Sequence, residues 1–466
     1  MINSFDEIYI LDLHGNSLKK EKALDGKKDE NVFDIKQGVA IAFFIKYKKE
    51  KTKSVVHHEL LGLREGKYEW LNNHSIQNVK WDKLEPNSEF YLFIPQDQRM
   101  QKSYQAFTKL TEIFPINSVG IVTARDALTI AITEDEIWKR IKNFSRLEPG
   151  LARQTYKLGK DTRDWKVGFA QKDLKDSGLN KNNLTPISYR PFDIRYTYYT
   201  GKSRGFHCMP RSEIMQHFLM ENVGLLICRQ QNKVGFFHSF ITDKIIEACV
   251  VSNRTREINY VLPLYLYPET NKKDLFSEHG TGEKKPNIKP ELFEELKNNY
   301  KKEVTPEEIF YYIYGVLYSN TYRKKYAEFL KIDFPRIPFT KDYLLFIQLG
   351  KLGKQLADIH LLKSKELDKT ISKFPIGGSN KVEKPNYEGG KVWINKEQYF
   401  GDVKEEVWQY QIGGYQVCEK WLKDRKGRVL TLDEILTYCK IVTALSKTIE
   451  LQNEIDKYFE NVERTV

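Results

Sequence analysis

Cysteine is scarce in this chain of 466 residues, and no two cysteines form a CxxC pair. The thiols are scattered and odd in number, at Cys208, Cys228, Cys249, Cys418 and Cys439. Such a pattern favours neither a disulfide framework nor a cysteine-based zinc site. We therefore expect a protein of a reducing compartment, the cytoplasm.

Long apolar runs are also missing from the chain. No stretch reaches the ~18 apolar residues that a membrane-spanning helix needs, and the N-terminus shows no signal-peptide pattern. The sequence thus predicts a soluble protein with no membrane partner.

What the sequence does contain is typical of a globular protein with a basic surface. Hydrophobic residues make up 40% and charged residues 30%, and the length allows about two to three domains. The net charge is +12 and the isoelectric point is near 9.0, which suits a polyanionic partner. Charge alone does not establish one, because many basic proteins bind no nucleic acid.

Three short segments near the start have the composition of β-strands. Residues 6–12 and 55–63 are rich in β-branched and aromatic residues. Residues 39–47 are continuously apolar at first, which predicts a strand buried on both faces. Because little helix-forming sequence separates the three, we expect the trailing part of an α/β sheet with an open strand edge.

Capping patterns mark three helix starts. A threonine is followed three residues later by glutamate at Thr133, Thr305 and Thr431. The last opens a long segment in which apolar residues recur at spacings of three and four, namely Ile435, Tyr438, Val442, Leu445 and Ile449. We favour a core-facing stripe over a dimerising coiled coil, because the run is too short for sustained heptads.

A pair of adjacent histidines has the residue types of a metal site. His57 and His58 precede Glu59 in a segment that we expect to be a strand. Adjacent side chains of a strand point to opposite faces, so the two imidazoles do not converge on one ion. We predict no metal site here.

Two stretches carry a resemblance to a known family, FDEIYILDLHGN from Phe5 and ISYRPFDIRYTYY from Ile187. Matching segments occur in family order at 5–16, 31–46, 114–126, 188–199, 225–231, 262–267, 306–326, 332–339, 392–400 and 407–428. Together they resemble the C-terminal region of Type ISP and Type IIG-like restriction-modification enzymes. That region comprises the end of an adenine-N6 DNA methyltransferase domain and the target-recognition domain.

The resemblance implies a fold class, a domain organisation and a function. The expected fold class is α+β. A partial Rossmann-like methyltransferase sheet would be followed by a mixed α/β target-recognition domain with a helical C-terminal part. The resemblance assigns residues 1–145 to the C-terminal portion of the methyltransferase domain and 146–466 to the specificity domain. It also implies sequence-specific recognition of double-stranded DNA.

The chemistry of methyl transfer is missing from the sequence. Neither a glycine-rich turn for S-adenosylmethionine nor an (Asn/Asp)-Pro-Pro-(Tyr/Phe) loop for a flipped adenine is present, and there is no Pro-Pro pair. We expect no cofactor and no catalytic residue in this chain, no activity of the chain alone, and S-adenosylmethionine in the intact enzyme. Met1 would correspond to an internal position of a longer enzyme; a truncated gene, a split gene and a designed fragment all remain open.

Basic and aromatic residues are interleaved in the middle of the chain. The candidates for DNA contact there are Arg190, Arg195, Tyr198, Tyr199, Lys202 and Arg204. Arginine forks suit phosphate or guanine, and the tyrosines add flat faces beside them. In the alternative, Asp193 pairs with an arginine to brace a turn, and for Arg190 we favour this alternative over base contact.

A second group of candidates follows the apolar segment 225–227. It comprises Arg229, Gln230, Asn232 and Lys233, and further along the chain Arg254 and Arg256. Arginine, glutamine and asparagine match base edges in the major groove, whereas phosphate contact is the expected role at 254 and 256. A solvated hairpin tip is the alternative for 229–233.

Two rival functions remain open. One is a split or truncated methyltransferase that needs a separate catalytic polypeptide, which would carry methyltransferase or helicase-nuclease parts. The other is a protein-interaction relic that does not bind DNA. A gene just upstream that encodes the missing motifs would favour the split methyltransferase. Salt-sensitive DNA binding would count against the protein-interaction relic, because phosphate contacts make affinity fall with salt.

Overall fold

The computed structural model describes the chain except for residues 18–21, 24, 50–51, 87–92, 96–97, 232–234, 255–256 and 269–282, and for 98–99 it describes the backbone alone. The backbone packs as two compact units, Met1–Ala106 and Phe107–Val466. Residue 145, the boundary expected from the sequence, therefore lies inside the second unit. The assignment of residues 1–145 to a methyltransferase domain remains a prediction.

The first unit contains a four-stranded mixed sheet. Its elements are β1 (Glu7–Asp12), β2 (Ala40–Ile45), β3 (Ser54–Glu59), α1 (Arg64–Asn73), β4 (Asp82–Leu84) and α2 (Gln98–Gln105). The strand order is β2-β1-β3-β4, with β1 parallel to β3 and the other pairs antiparallel. The strands predicted at 6–12 and 55–63 are thus confirmed as β1 and β3.

The strand predicted at 39–47 forms as β2, but its predicted burial on both faces is wrong. Among the described residues β2 pairs only with β1, and the rings of Phe43 and Phe44 are 40% and 37% exposed. Ile41 packs against an apolar cluster on one face of the sheet. A continuous apolar run fits either a central strand or an edge strand, so composition alone did not decide its place.

One buried ion pair organises the loops around this sheet. Lys67 Nζ and Asp29 Oδ1 are 2.7 Å apart, and the two side chains are 1% and 0% exposed. Lys67 also donates to two backbone carbonyl oxygens at 2.7 Å. The Asp29 carboxylate accepts from the backbone N–H groups of Gly15 and Gly62. The pair therefore joins α1 to the segments that follow β1 and β3.

Removal of this lysine should be costly. We expect Lys67→Met to lower the free energy of unfolding by about 3–5 kcal/mol, because the Asp29 charge would be buried without its partner. Urea denaturation followed by tryptophan fluorescence measures the change. The exposed pair of Lys28 with Glu30 provides the control, and Lys28→Met should change stability by less than about 0.5 kcal/mol. Equal losses for both variants would contradict this role of the buried pair.

The second unit combines short sheets with helices that dominate its C-terminal part. Its strands are β5 (Thr108–Lys109), β6 (Ser118–Val119), β7 (Leu184–Arg190), β8 (Asp193–Tyr198), β9 (Gly224–Cys228), β10 (Ser239–Thr242), β11 (Ile245–Ile246), β12 (Asn259–Pro263), β13 (Tyr265–Leu266), β14 (Lys285–Pro286), β15 (Arg336–Ile337), β16 (Asn386–Glu388), β17 (Lys391–Trp393), β18 (Tyr399–Phe400), β19 (Gln411–Ile412) and β20 (Tyr415–Gln416). Its α-helices are α3 (Leu110–Ile113), α4 (Asp126–Thr129), α5 (Glu134–Arg146), α6 (Pro149–Thr155), α7 (Val167–Asp176), α8 (Ser212–Met215), α9 (Pro290–Tyr300), α10 (Pro306–Tyr318), α11 (Asn320–Lys325), α12 (Ala327–Leu330), α13 (Tyr343–His360), α14 (Glu405–Trp408), α15 (Val417–Lys423) and α16 (Leu432–Val462). One sheet has the order β10-β9-β12-β6, and another has the order β11-β7-β8. The predicted α+β class with a helical C-terminal part is confirmed.

The three predicted helix starts are also confirmed. Thr133, Thr305 and Thr431 each precede a helix, and each side chain accepts from the backbone N–H three residues on. At Thr305 and Thr431 the glutamate side chain also accepts from the backbone N–H of the threonine, which completes a capping box. No helix in the described part of the chain is both long and apolar enough to span a membrane.

The apolar stripe of α16 faces the core, as predicted. Tyr438, Val442 and Leu445 are buried, and Ile435 and Ile449 pack against the same cluster. That cluster also contains side chains from β7, β9, β10 and α15. The stripe therefore fixes the long helix to the sheets of this unit.

Two of the buried imidazoles of the second unit, those of His360 and His207, have strongly lowered pKa values. His360 bonds to the hydroxyl oxygens of Tyr314 and Thr448, at 2.7 and 2.9 Å, and His207 bonds to Thr197 at 2.8 Å. Burial lowers the pKa of His360 to about 3 and the pKa of His207 to about 4, from a usual value of 6.5. Both rings thus stay neutral in the folded chain at pH values where the unfolded chain protonates them.

Stability should therefore fall in mild acid. The contribution of the neutral rings is complete above pH 6.5 and decreases as the pH drops toward 4, by about 2 kcal/mol for each ring at pH 5. We expect a lower melting temperature at pH 5 than at pH 7. His207→Gln should reduce the difference between the two temperatures, and an undiminished difference would count against this assignment.

Candidate nucleic-acid interface

Two loops with basic and amide side chains leave the β10-β9-β12-β6 sheet at the same end. Cys228, the last residue of β9, lies opposite Asn259, the first residue of β12. Ser239, the first residue of β10, lies opposite Ile227. The connection 229–238 and the segment that ends at 258 therefore emerge side by side. Residues 229–238 connect β9 to its antiparallel neighbour β10.

A buried polar network ties these two loops together. His238 Nε2 lies 2.9 Å from Glu257 Oε2, and the Ser252 hydroxyl donates to the same oxygen at 2.6 Å. All three side chains are buried. The Cys228 thiol also donates to the Glu257 carbonyl oxygen at 3.6 Å. Because hydrogen bonds to a buried carboxylate are strong, the network holds the sheet-proximal ends of the two loops in one arrangement.

A third segment, the β19–β20 hairpin, inserts against both loops. The N–H of Gly413 donates to the Phe237 carbonyl oxygen at 2.6 Å, and the N–H of Gly414 donates to the Val251 carbonyl oxygen at 3.0 Å. Gly413 has a φ of +57°, and a Cβ there would lie 2.0 Å from the Val251 oxygen. Only glycine permits this approach. Tyr415 adds a bond from its hydroxyl to the Cys249 carbonyl oxygen at 2.9 Å.

The side chains at the outer surface of this site have the chemistry of base and phosphate contacts. Arg229, Gln230, Asn253 and Arg254 are exposed. Arginine, glutamine and asparagine can each make paired hydrogen bonds to base edges. The candidates Asn232, Lys233 and Arg256 lie outside the described residues.

Gln231 is a residue that the sequence interpretation passed over. Its side chain is only 6% exposed, and within the described residues neither its amide nitrogen nor its amide oxygen has a hydrogen-bond partner. Its backbone N–H donates to the Lys331 carbonyl oxygen at 3.2 Å. Nothing in the sequence distinguishes it from the exposed Gln230, because both are glutamines at a strand end.

The buried Gln231 amide, which has no partner within the described residues, should lower the stability of the free chain. We expect Gln231→Met to raise the free energy of unfolding by about 1 kcal/mol or more, since a buried polar group without a partner is costly. Chemical denaturation without DNA measures it. Gln230→Met, at the exposed neighbour, should stay within about 0.5 kcal/mol. A less stable Gln231→Met variant would show that the amide has a partner.

The arginines of the 188–199 motif are bound inside the protein. Arg190 Nη1 lies 2.7 Å from Glu247 Oε2, and Arg195 Nη2 lies 2.8 Å from Asp193 Oδ2. Both guanidinium groups lie over the Tyr189 ring, at 3.8 and 4.0 Å from its centroid. Burial lowers the pKa of Arg190, but Glu247, Tyr415 and Tyr189 together outweigh burial, and the pKa is raised. DNA contact by either arginine would require these bonds to break.

The remaining candidates from residues 198–204 divide into buried and exposed residues. Tyr198 and Tyr199 are buried; the Tyr198 hydroxyl bonds to Ser177, and Tyr199 donates to a backbone oxygen. Burial raises the pKa of Tyr199. Lys202 and Arg204 are exposed, and they pair with Asp176 at 2.8 Å and Asp164 at 3.2 Å.

Nothing in the described ranges resembles a metal centre. They contain no group of three or more side chains that could hold a metal ion. His58 stacks on Trp70 with 5.3 Å between ring centroids, whereas His57 is buried. The two imidazoles therefore occupy opposite faces of β3, as predicted from strand geometry.

A family model for the Type ISP C-terminal specificity domain matches residues 112–454. The chain belongs to this family. The resemblance found in the sequence is thereby confirmed. The Type ISP specificity range includes every described residue of the two loops and of the β19–β20 hairpin.

Solved structures similar to this Type ISP chain include DNA complexes. LlaBIII, an ATP-dependent Type ISP restriction-modification enzyme bound to DNA, matches 97% of the chain at 19% identity with a TM-score of 0.68. The DrdV–DNA complex matches 97% at 22% identity, with a TM-score of 0.67. A nuclease-deletion mutant of the Type ISP enzyme LlaGI, in complex with a DNA substrate mimic, matches 97% at 20% identity, with a TM-score of 0.66.

These likenesses establish a shared fold. The chain covers 32% of the LlaBIII chain, 48% of the DrdV chain and 37% of the LlaGI chain. It thus spans less than half the length of each. No curated protein matches the chain.

Proposed function

We propose that this chain recognises a specific sequence in double-stranded DNA, as the specificity part of a restriction-modification enzyme. The observation that carries the proposal is the convergence of three segments at one end of a sheet, where Arg229, Gln230, Asn253 and Arg254 are exposed. These side chains suit the hydrogen-bonding pattern of the major groove. Membership of the Type ISP specificity family and likeness to enzymes solved with DNA support it.

Different candidates would serve different contacts. Arg254, Lys202 and Arg204 suit phosphate, because an exposed ion pair is weak and a phosphate can replace the carboxylate. Arg190, Tyr198 and Tyr199 are buried, and the Arg195 side chain is 13% exposed and paired with Asp193. These four candidates would support the surface from inside rather than touch DNA. Asn232, Lys233 and Arg256 belong to the proposal on their residue types alone.

Selection from a randomised duplex pool tests the proposal. The purified chain is incubated with the pool at two salt concentrations, and retained duplexes are sequenced. Enrichment of one short site at both concentrations supports sequence recognition. Retention without enrichment would mean that the basic surface binds DNA without sequence selectivity. No retention at either concentration overturns the proposal and favours the protein-interaction alternative.

Salt dependence should report a phosphate contact by Arg254. We expect Arg254→Ala to weaken binding of all duplexes by a similar factor, and to reduce the slope of log affinity against log salt by about one unit. Fluorescence anisotropy at several salt concentrations measures both. Lys297→Ala is the control, because Lys297 is exposed on α9 and pairs with Glu303. A loss confined to one base position would instead assign Arg254 to base reading.

The reaction that we propose this domain serves is adenine-N6 methylation. The resemblance of residues 1–145 to the end of a methyltransferase domain supports it, with S-adenosylmethionine as cofactor of the intact enzyme. Since this sequence lacks the cofactor turn and the catalytic loop, those parts would come from a longer protein or a separate polypeptide. Strand β2, whose outer edge has no partner strand in the part of the chain that the structure describes, exposes Phe43 and Phe44 and suits contact with such a part. Methyl transfer to the selected site by the chain alone would contradict this division.

A cytoplasmic location is part of the same proposal. The five cysteines are free thiols, and four of them are buried. Unpaired cysteines are usual where the compartment is reducing. Restriction and modification of DNA would take place there.

A further inference from the structure

The guanidinium group of Arg229 is fixed from one side. Its Nε donates to Asp333 Oδ1 at 3.0 Å, while the arginine side chain is 53% exposed and the aspartate side chain 9% exposed. Two residues further on, the backbone N–H of Gln231 donates to the Lys331 carbonyl oxygen at 3.2 Å. The segment that follows β9 is therefore bound at two points to the turn 331–333.

The carboxylate that holds Arg229 is itself held firmly. Lys109 Nζ pairs with the second oxygen of Asp333. The next residue, Phe334, packs edge to face on Tyr260 of β12, with 4.9 Å between ring centroids. After it the chain continues into β15, which pairs with β5. Asp333 thus offers a fixed acceptor next to the sheet end.

We propose that Arg229 reads a guanine and that Asp333 is the positioning residue that aims it. The inference rests on the proposed DNA recognition. It adds the base that is read, guanine, and the residue that orients the arginine, Asp333. An arginine whose Nε is occupied presents its two Nη groups outward. That pair fits the O6 and N7 acceptors of guanine in the major groove.

The arrangement favours arginine over lysine and a held side chain over a free one. A lysine ammonium is a point charge and does not reproduce the planar fork. A side chain that is already oriented loses less rotamer freedom on binding, so more of the contact appears as affinity for the correct base. Asp333 therefore acts on discrimination through Arg229, without touching DNA.

Selection from a randomised duplex pool, with the full chain, tests this inference. The wild-type chain should enrich a site with one guanine whose replacement weakens binding about tenfold to a hundredfold. Arg229→Lys should remove the preference at that position and leave the others. Asp333→Asn should reduce the preference at the same position to a few fold. Glu328→Gln is the control, because Glu328 is exposed and pairs with Lys331 in the same region.

The outcomes separate the inference from the proposed function. If the wild-type chain selects no sequence, both fail. If it selects a site but Arg229→Lys keeps every base preference, only the guanine assignment fails. A uniform loss over all sequences would make Arg229 a phosphate contact and overturn the inference.

Two further measurements keep the role of Asp333 falsifiable. A structural role alone would lower the melting temperature and weaken all sites equally, whereas a positioning role changes one base position. The double variant Arg229→Lys with Asp333→Asn should lose no more preference there than Arg229→Lys alone. If Asp333→Asn does not fold, Asp333→Glu replaces it and should keep part of the guanine preference; a preference lost equally at all positions would overturn the positioning role.

Discussion

A buried carboxylate, that of Asp193, joins the sheets of the second unit to its C-terminal helices. It accepts from Arg195 at 2.8 Å and from Arg425 at 2.9 Å. Arg425 also donates to Glu434 at the start of α16, and it lies 3.5 Å from the centroid of the Trp421 ring. Burial by itself raises the pKa of Asp193, but the two guanidinium groups outweigh burial and lower that pKa. The carboxylate therefore remains ionised in the interior, and β8 stays bound to the helical part.

This network gives a different role to the segment in which the sequence interleaves arginines with tyrosines. The segment 188–199 has the composition of a DNA-binding surface, yet its charges are neutralised inside the fold. Arg190 bonds to Glu247, 57 positions away, and Asp193 bonds to Arg425, 232 positions away. Partners at such separations follow from tertiary packing and leave no local signal. The sequence also offered an alternative, in which Asp193 pairs with an arginine to brace a turn. That alternative involves only neighbouring residues, and it agrees with the Asp193–Arg195 pair.

Local patterns were thus the predictable part of this protein. The caps at Thr305 and Thr431 depend on residues three positions apart, and the stripe of α16 depends on one helical period. The burial of β2 depended on its place in the sheet, which its apolar run does not encode. The interface depended on the pairing of β9 with β12 and on the close approach at Gly413. The sequence around Gly413 gives no signal of this close approach, because Val251 is distant along the chain.

In the candidate interface, the residues that fix the loops in place are different from the residues that the loops expose. His238, Glu257 and Gly413 are buried at the base of the loops, whereas Arg229 and Arg254 face outward. Under the proposed function, a change at an exposed position would alter a contact with DNA and leave the bond between His238 and Glu257 intact. A change at Gly413 would displace the hairpin, because any Cβ meets the backbone of the neighbouring loop. If the proposed function holds, one scaffold could carry different base preferences, since the exposed side chains would decide the sequence read and the buried contacts decide where those side chains lie.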